Sequence, residues 1–313
     1  MKKNMKYSGI GGQAVLEGIM MKNQDKYAVA VRTPEGSIAV DVQTYVGIGA
    51  GKKFRELPLI RGVFNFIDSM ILGMRSLNYS ATFYEEDSDE VKDERKEKMI
   101  SVLATILSIV LAVGIFMVLP WVVSEFALKN VRNRSLLAIL EGVFRILLFV
   151  MYILLISLMK DIKRTFQYHG AEHKCINCIE KGKPLTVQNV MKCSRQHKRC
   201  GTSFLLFVMV VSIVLFFFIR VDQPILKMVL RVLLIPVIAG ISYELIRLAG
   251  RSSNPIIAIL SAPGMWLQRL TTKEPDEQMV EVAIRAVEAV FDWKTYLKET
   301  FGMEVDEEDT KIG

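Results

Sequence analysis

Long apolar blocks dominate the pattern of hydrophobic and polar positions, and four of them approach the length of a membrane span. They comprise residues 99–123, 136–159, 204–219 and 226–248. A hydrocarbon core needs about 20 apolar residues in one helix. A soluble helical core does not explain runs such as 146–159, which lack a polar stripe. The pattern predicts a mainly α, polytopic membrane protein with about four transmembrane helices.

The N-terminal 57 residues have a different pattern. Residues 27–32 and 37–42 alternate β-branched and other residues around the turn Pro34-Glu35-Gly36, which predicts a β-hairpin. The preceding segment, 9–21, is too rich in glycine for a helix and lacks the Lys-Ser/Thr of a phosphate-binding loop. We therefore expect a small α+β cytoplasmic domain built on a short sheet.

Two further segments have weaker patterns. Residues 59–84 have apolar positions at helical spacing, but polar residues recur throughout, so an interfacial or re-entrant helix is expected and a fifth span stays open. Residues 256–270 are apolar but too short to span, and 274–291 form an amphipathic pattern. The tail from 304 to 313 is acidic.

These patterns divide the chain into six predicted parts. In order they are the cytoplasmic segment 1–57, the interfacial helix and charged linker 58–98, membrane helices one and two 99–159, a cytoplasmic hairpin 160–203, membrane helices three and four 204–248, and the interfacial segment, amphipathic helix and tail 249–313.

The distribution of charge predicts the orientation. The chain has a formal net charge of +7, and the hairpin 160–203 alone contains ten Lys/Arg against three Asp/Glu. Because basic loops stay on the cytoplasmic side, this hairpin and both termini are expected inside a bacterial cytoplasmic membrane. Residues 1–26 are polar and glycine-rich, unlike a cleavable signal peptide.

All soft metal ligands of the chain lie in one short window. The three histidines and four cysteines all fall between Tyr168 and Thr202. A cytoplasmic location keeps thiols reduced, which favours metal ligation over disulfides. The window therefore predicts a metal site. The alternative is that these are ordinary polar loop residues and that Cys200 is simply a small buried apolar side chain.

The spacing within the window indicates the ligands. On a helix, His169 and His173 share one face with Glu172, the His-x-x-Glu-His pattern of two imidazole ligands and a general base. His197 and Cys200, three residues apart, would complete a tetrahedral set for a divalent ion, and this ligand set favours Zn²⁺. A second possible set consists of four thiolates, from Cys175, Cys178, Cys193 and Cys200.

Other polar residues are candidates for supporting this site, namely Gln13, Glu17, Arg195, Arg199 and Glu180. For Gln13 and Glu17, an ordinary loop role is an equal alternative. Residues 160–181 are expected to continue the second membrane helix, which puts Glu180 roughly 10 Å beyond His173, too far to share the ion unless the helix breaks. A short helix is expected from Pro184-Leu185-Thr186 through Cys193.

Three stretches of the chain, 11–21, 168–174 and 197–205, resemble the YqhQ-like family of bacterial membrane proteins, which are predicted to be metal-dependent enzymes. The resemblance covers nearly the whole chain and implies that His169, Glu172, His173, His197 and Cys200 are matching positions. Lys198 replaces the family's usual proline, which affects loop rigidity more than ligation. Cys175 and Cys193 lie outside the pattern. The resemblance implies no substrate.

Three classes of function remain in competition. The leading hypothesis is a membrane-embedded metal-dependent hydrolase, whose basic surroundings suit an anionic lipid or a membrane-proximal peptide as substrate. The second is a membrane scaffold in which all four ligands close a structural zinc site. The third is a transporter, suggested by Glu141, Arg145, Glu244 and Arg247 inside apolar helices. No nucleic-acid partner is expected, and an oligomer stays open.

Overall fold

The computed structural model describes residues 6–84, 94–127, 133–219, 221, 223–251 and 254–305. The chain is mainly helical, with a small antiparallel sheet at its N-terminal end. It divides into two compact units, one of residues 1–85, 156–207 and 239–313 and one of residues 86–155 and 208–238. Much of the predicted acidic tail and residues 85–93 of the charged linker lie outside the described residues. So do Lys129, Arg132 and Arg220, basic residues of the short connections between the predicted membrane helices.

The strands are β1 (Gly11–Val15), β2 (Gly18–Asn23), β3 (Lys26–Arg32) and β4 (Ile38–Thr44). The helices are α1 (Ile60–Ala81), α2 (Glu94–Val113), α3 (Leu119–Ala127), α4 (Arg134–Ile156), α5 (Lys160–Glu180), α6 (Val187–Met191), α7 (Gly201–Phe217), α8 (Pro224–Leu233), α9 (Ile235–Arg251), α10 (Pro255–Thr271), α11 (Glu277–Glu288) and α12 (Trp293–Phe301). A π-helical turn, Gly114–Val118, joins α2 to α3.

The sheet is the centre of the first unit, and both faces of its central strands, β2 and β3, are buried. Its strands follow one another in the order β1-β2-β3-β4, all antiparallel. Ile19 and Met21 pack into a core with α5 and α11, whereas Met20 packs into a second core with Leu72 of α1. Because side chains alternate between faces along a strand, one apolar run supplies both cores. The predicted hairpin is confirmed as β3 and β4.

The sequence-based boundaries of α5 need one correction. Residues 160–181 were expected to continue the preceding apolar helix, but α4 ends at Ile156 and α5 begins at Lys160. Met159 adopts an extended conformation with ψ of 134°. Periodicity does not detect this break, because apolar residues continue up to Met159.

Other predicted helices are confirmed. α6 follows the N-cap Thr186, whose hydroxyl accepts a hydrogen bond from the Asn189 amide. The amphipathic segment forms α11, and its predicted apolar face is buried in the first unit. The 59–84 segment forms α1, which buries small and polar residues as well as Leu72. It is not among the described helices that are long and apolar enough to cross a membrane.

Among the residues that the structure describes, three helices have the length and composition to cross a membrane: Val102–Phe126, Ser135–Ile156 and Ile225–Gly250. The remaining predicted span forms α7, an apolar helix of 17 residues. At about 1.5 Å per residue it is roughly 25 Å long, short of the roughly 30 Å hydrocarbon core. Within the second unit, α4 and α7 approach closely at Gly142, where a Cβ atom would lie 2.6 Å from Ile213.

Candidate metal centre

The candidate centre is built on α5, which is buried from Gly170 to its end. The helix lies close against the chain that follows α10, because a Cβ atom on Gly170 would be 2.1 Å from the Lys273 carbonyl oxygen. The Lys273 amide also donates a hydrogen bond to the Phe166 carbonyl, at 2.8 Å. This contact brings the Thr271 carbonyl to His169.

The returning segment after α6 is fixed to the same helix. The Asn177 side-chain amide donates to the carbonyl oxygens of Ser194, at 2.7 Å, and Gln196, at 2.9 Å. The Lys174 ammonium donates to the Met191 carbonyl, also at 2.7 Å. These bonds align residues 191–200 along α5 and carry Cys200 to the two histidines.

His169, His173 and Cys200 converge, with ligand atoms within 4.8 Å of one another. The His169 Nδ1 atom lies 2.9 Å from the Thr271 carbonyl oxygen, and the His173 Nδ1 atom lies 2.7 Å from that of Arg195. A carbonyl only accepts, so each Nδ1 carries a proton and Nε2 is the ring nitrogen left to bind a ligand. The His169 Nε2 atom is 3.2 Å from the Cys200 sulfur. Three donors of the type that zinc prefers are thus available.

The charges of these groups are coupled. Burial tends to raise the pKa of Cys200, but His169 and His173 hold it well below the ordinary value of a thiol. Burial likewise tends to lower the pKa of His169, yet Cys200 and Glu172 raise it to about 9. The Thr202 amide lies 3.4 Å from the Cys200 sulfur and adds a donor. The surroundings thus stabilise the thiolate, the form of cysteine that binds metals.

Glu172 is buried beside this cluster, and burial raises the pKa of its carboxyl group. The Gly12 amide donates a hydrogen bond to it. Its Oε2 atom is buried and has no hydrogen-bond partner in the described part of the chain. A Cβ atom on Gly12 would lie 2.6 Å from the Met20 carbonyl oxygen and 3.2 Å from the Glu172 carboxyl carbon, so only glycine fits between them.

His197, the fourth predicted ligand, lies beside this set rather than in it. Its ring centroid is 5.8 Å from that of His173, and its Nε2 atom is 3.3 Å from Glu180 Oε2. Glu180 also pairs with Arg199 and accepts hydrogen bonds from Ser8. Burial tends to raise the pKa of Glu180, but His197 and Arg199 lower it to about 2. As expected, Glu180 at the end of an unbroken helix does not join the cluster.

The other cysteines lie away from Cys200, all three of them buried in the core of the first unit. The Cys193 thiol lies 3.2 Å from the Asn189 carbonyl oxygen, and the Cys178 thiol lies 3.4 Å from that of Pro184. Among the described residues, no other group of three candidate metal ligands comes together. A four-thiolate set including Cys200 is therefore not assembled.

The predicted supporting residues have diverse partners. Glu17 pairs with Arg164, and its carboxylate accepts from the Tyr168 hydroxyl at 3.3 Å. Gln13 lies against Gly73 of α1. Arg195 contributes its carbonyl oxygen to His173 and is 3.5 Å from Glu274.

A cavity of about 830 Å³ lies in the first unit, and Gly12, Gln13 and Arg199 are part of its wall. Its ionisable lining is mostly basic, with Lys22, Lys52, Arg55, Arg61 and Arg199 against Asp25, Glu56 and Asp68. The volume lies in the range of small-molecule sites. Gly12 both lines this cavity and hydrogen-bonds Glu172, so it connects the two features.

Several residues that shape the site had no sequence signal. Gln268 of α10 is buried, and its side chain accepts from the His197 amide at 2.9 Å and donates to the His197 carbonyl at 2.8 Å. The Thr271 carbonyl accepts from His169, and the Asn177 side-chain amide donates to the Ser194 carbonyl. Gln268 and Thr271 lie about 70 to 100 residues from their partners, so neither spacing nor residue type reveals the role.

Two comparisons with known proteins identify the family of the chain. A family model described as "Protein of unknown function (DUF1385)" matches residues 57–293. The "Uncharacterized protein YqhQ" of Bacillus subtilis (strain 168) is 35% identical over 296 residues, covering 91% of this chain and 93% of that protein. No solved structure matches. The chain therefore belongs to the DUF1385 family, as the resemblance to YqhQ predicted.

Proposed function

We propose that the protein is a membrane-embedded metal-dependent hydrolase, with His169, His173 and Cys200 as ligands of a divalent ion, Zn²⁺ before others, and Glu172 as the general base. One observation carries the proposal. Both imidazoles direct Nδ1 to a backbone carbonyl, at 2.9 and 2.7 Å, and leave Nε2 for a ligand beside a thiol. A carbonyl partner on the other ring nitrogen is the usual support of a metal-binding histidine.

The donor set suits catalysis better than a closed site. Three protein ligands leave one position free for water or substrate, as in catalytic zinc sites. Bound there, the ion would supply Lewis acidity and lower the pKa of a water molecule towards neutrality. The Nε2 atom of His197 lies 3.3 Å from Oε2 of Glu180, and this contact argues against His197 as a fourth protein ligand.

Glu172 supplies the second requirement of hydrolysis, a group that takes a proton. Its free Oε2 atom accepts a proton from water, while the Gly12 amide holds the carboxylate in place. Burial favours the protonated form and thereby makes the carboxylate a stronger base than an exposed glutamate. The proton then passes to the leaving group, the usual exchange of roles for a general base.

An anionic substrate is favoured by the cavity beside Gly12, whose lining has five basic and three acidic side chains. A lipid phosphate or a membrane-proximal peptide fits this charge. The three apolar helices of sufficient length support placement in the bacterial cytoplasmic membrane, and α7 would be a fourth, shorter span. The basic residues of the 160–203 hairpin favour a cytoplasmic site and cytoplasmic termini.

Two other functions remain as alternatives. A structural zinc site would recruit His197 as the fourth ligand and make the protein a membrane scaffold. For a transporter, the intramembrane charges would have to be available to a substrate. Glu244, however, pairs with Arg61, and Glu141 pairs with Arg145 and Arg231. Those pairs make the transporter the weakest of the three proposals.

The proposal is tested by changing Glu172 to Gln in the full-length protein. We expect the detergent-purified variant to keep about one divalent ion per chain and the wild-type thermal stability, yet to fail to complement a deletion strain. His173→Ala should lose the ion. Glu299→Gln, the same change at an exposed position, is the control and should behave as wild type. Full complementation by Glu172→Gln would leave the structural zinc site as the better account, and a metal-free, active wild type would exclude both.

A further inference from the structure

A second cluster of charged side chains lies in the second unit, whereas the candidate metal ligands lie in the first. Glu141 of α4 pairs with Arg145, one turn further on, at 2.9 Å. It also accepts two hydrogen bonds from Arg231 of α8, at 2.7 and 2.8 Å. All three side chains belong to residues no more than 5% exposed. Two guanidinium groups against one carboxylate leave a buried excess of one positive charge.

The cluster also has donors without acceptors. The Nε atoms of Arg145 and Arg231 and the indole Nε1 of Trp121 are buried and lack a hydrogen-bond partner among the described residues. The ring of Phe216 covers both guanidinium groups, at 5.2 and 4.8 Å, and offers them only its π face. Since buried donors normally find an acceptor, three together indicate an acceptor that the chain does not supply.

A cavity adjoins two of these donors, those of Trp121 and Arg231. Its volume is about 160 Å³, and its wall includes Trp121, Ser124, Glu125, Ser135, Lys227 and Arg231. This volume is close to the ~150 Å³ of a cavity that holds one benzene molecule. The space suits one small group rather than an entire lipid or nucleotide.

The position of the cavity along the helices further limits the kind of ligand that can reach it. Ser135 lies in the first turn of α4, Ser124 near the end of α3, and Lys227 in the first turn of α8. The wall therefore consists of helix ends, and it reaches Arg231 about 10 Å along α8 from its first residue. The candidate span from Val102 to Phe126 has an apolar surface that the protein leaves uncovered. A lipid headgroup bound in the cavity near Arg231 can therefore remain attached to an acyl chain that lies along this apolar surface.

We propose that this cavity binds one phosphate oxyanion, either the phosphodiester of a phospholipid or free phosphate. A phosphodiester carries one negative charge, which balances the excess charge of the Glu141 cluster. Its oxygens only accept, matching the donors of Arg231, Trp121 and Lys227. Arg is the side chain best suited to phosphate oxygens. Glu125 and Glu141 in the wall disfavour a more highly charged anion.

The test measures thermal unfolding of the full-length protein in a neutral detergent. Short-chain phosphatidylglycerol, inorganic phosphate and a diacylglycerol of equal chain length are titrated separately. We expect phosphatidylglycerol or phosphate, but not diacylglycerol, to raise the unfolding midpoint with saturation. A shift with the lipid but not with phosphate identifies the lipid as the source. Saturable stabilisation by inorganic phosphate identifies the free anion.

Two mild variants keep the test independent of folding. Lys227→Met and Trp121→Phe each remove a donor from the wall but leave the Glu141 pairs intact. Each should weaken the apparent affinity about tenfold or more, since hydrogen bonds to charged groups are among the strong ones. Lys298→Met, the same change at a position whose side chain is 67% exposed, should match wild type. Equal affinity of Lys227→Met and Lys298→Met, or equal stabilisation by diacylglycerol, would overturn the proposal.

Discussion

At the scale of single residues, the clustering of histidine and cysteine predicted three side chains that meet, together with one that does not, His197, and it did not predict the groups that orient them. His169, His173 and Cys200 do converge. Their orientation depends on carbonyl oxygens of Thr271 and Arg195, and every residue has a carbonyl, so no residue type marks these partners. His197 was placed by its spacing from Cys200 and by the family resemblance, but its ring pairs instead with the carboxylate of Glu180, 17 residues earlier.

Replacement of Cys200 by serine should impair metal binding more than replacement of Cys193. Cys200 lies 3.2 Å from His169 Nε2, whereas Cys193 lies in the apolar core with its thiol on the Asn189 carbonyl. Loss of a supporting partner typically costs about 10–100-fold in metal affinity, and loss of a ligand should cost at least as much. Competitive titration with a chromogenic chelator measures the affinity. Equal affinities of Cys200→Ser and Cys193→Ser would exclude Cys200 as a ligand.

At the scale of elements, hydrophobic periodicity identified the segments, and backbone contacts fixed their ends. The β3–β4 hairpin, α6 and α11 were all predictable, since each combines a periodic pattern with a turn or capping residue. β1 and β2 were missed as strands, because glycines diluted their alternation. Gly12 and Gly18 are required there by close neighbours across the sheet and at the site. The break between α4 and α5 has no proline or glycine to announce it.

Gly170→Ala should destabilise the first unit, because the added methyl group would lie 2.1 Å from the Lys273 carbonyl oxygen. Overpacking of this kind costs about 1–3 kcal/mol. The displaced segment directly follows Thr271, whose carbonyl accepts from His169, so metal content should fall as well. Gly114→Ala is the control, since nothing lies within 4 Å of its added Cβ. Alanine there should be neutral or stabilise by up to about 1 kcal/mol. Thermal unfolding and metal analysis of both variants test this prediction. Equal unfolding midpoints and equal metal contents would show that the contact at Gly170 is unimportant.

At the scale of the whole molecule, composition and apolar block length predicted the class, a mainly helical chain with helices long enough to span a membrane. Sequence did not predict that residues 1–85, 156–207 and 239–313 form one unit. Such assembly depends on long-range pairs, for example Arg32 with Glu281 and Lys174 with Glu274, whose members lie in separate predicted segments. Charge counts indicate the side of a membrane but not which segments meet on it.

The orientation predicts a labelling pattern in intact cells. A cysteine introduced in place of Lys181 should not react with a membrane-impermeant maleimide until the cells are permeabilised, because the basic hairpin is expected inside. A cysteine in place of Gln223, exposed at the start of α8, should react at once. The four native cysteines are buried and should give a low background. The opposite pattern would place the candidate site in an oxidising compartment.

The packing of α11 against the sheet has a consequence for how the protein is made. The first strands leave the ribosome about 250 residues before the helix that covers one of their faces, since β2 ends at Asn23 and α11 begins at Glu277. At about 5–20 residues per second, translation of the intervening chain takes on the order of 10 to 50 s. The apolar helices emerge within that interval and would enter the membrane first. The sheet face that contains Ile19 and Met21 therefore stays only partly covered until α11 has been synthesised. The first part of the chain to be made is thus among the last to complete its packing.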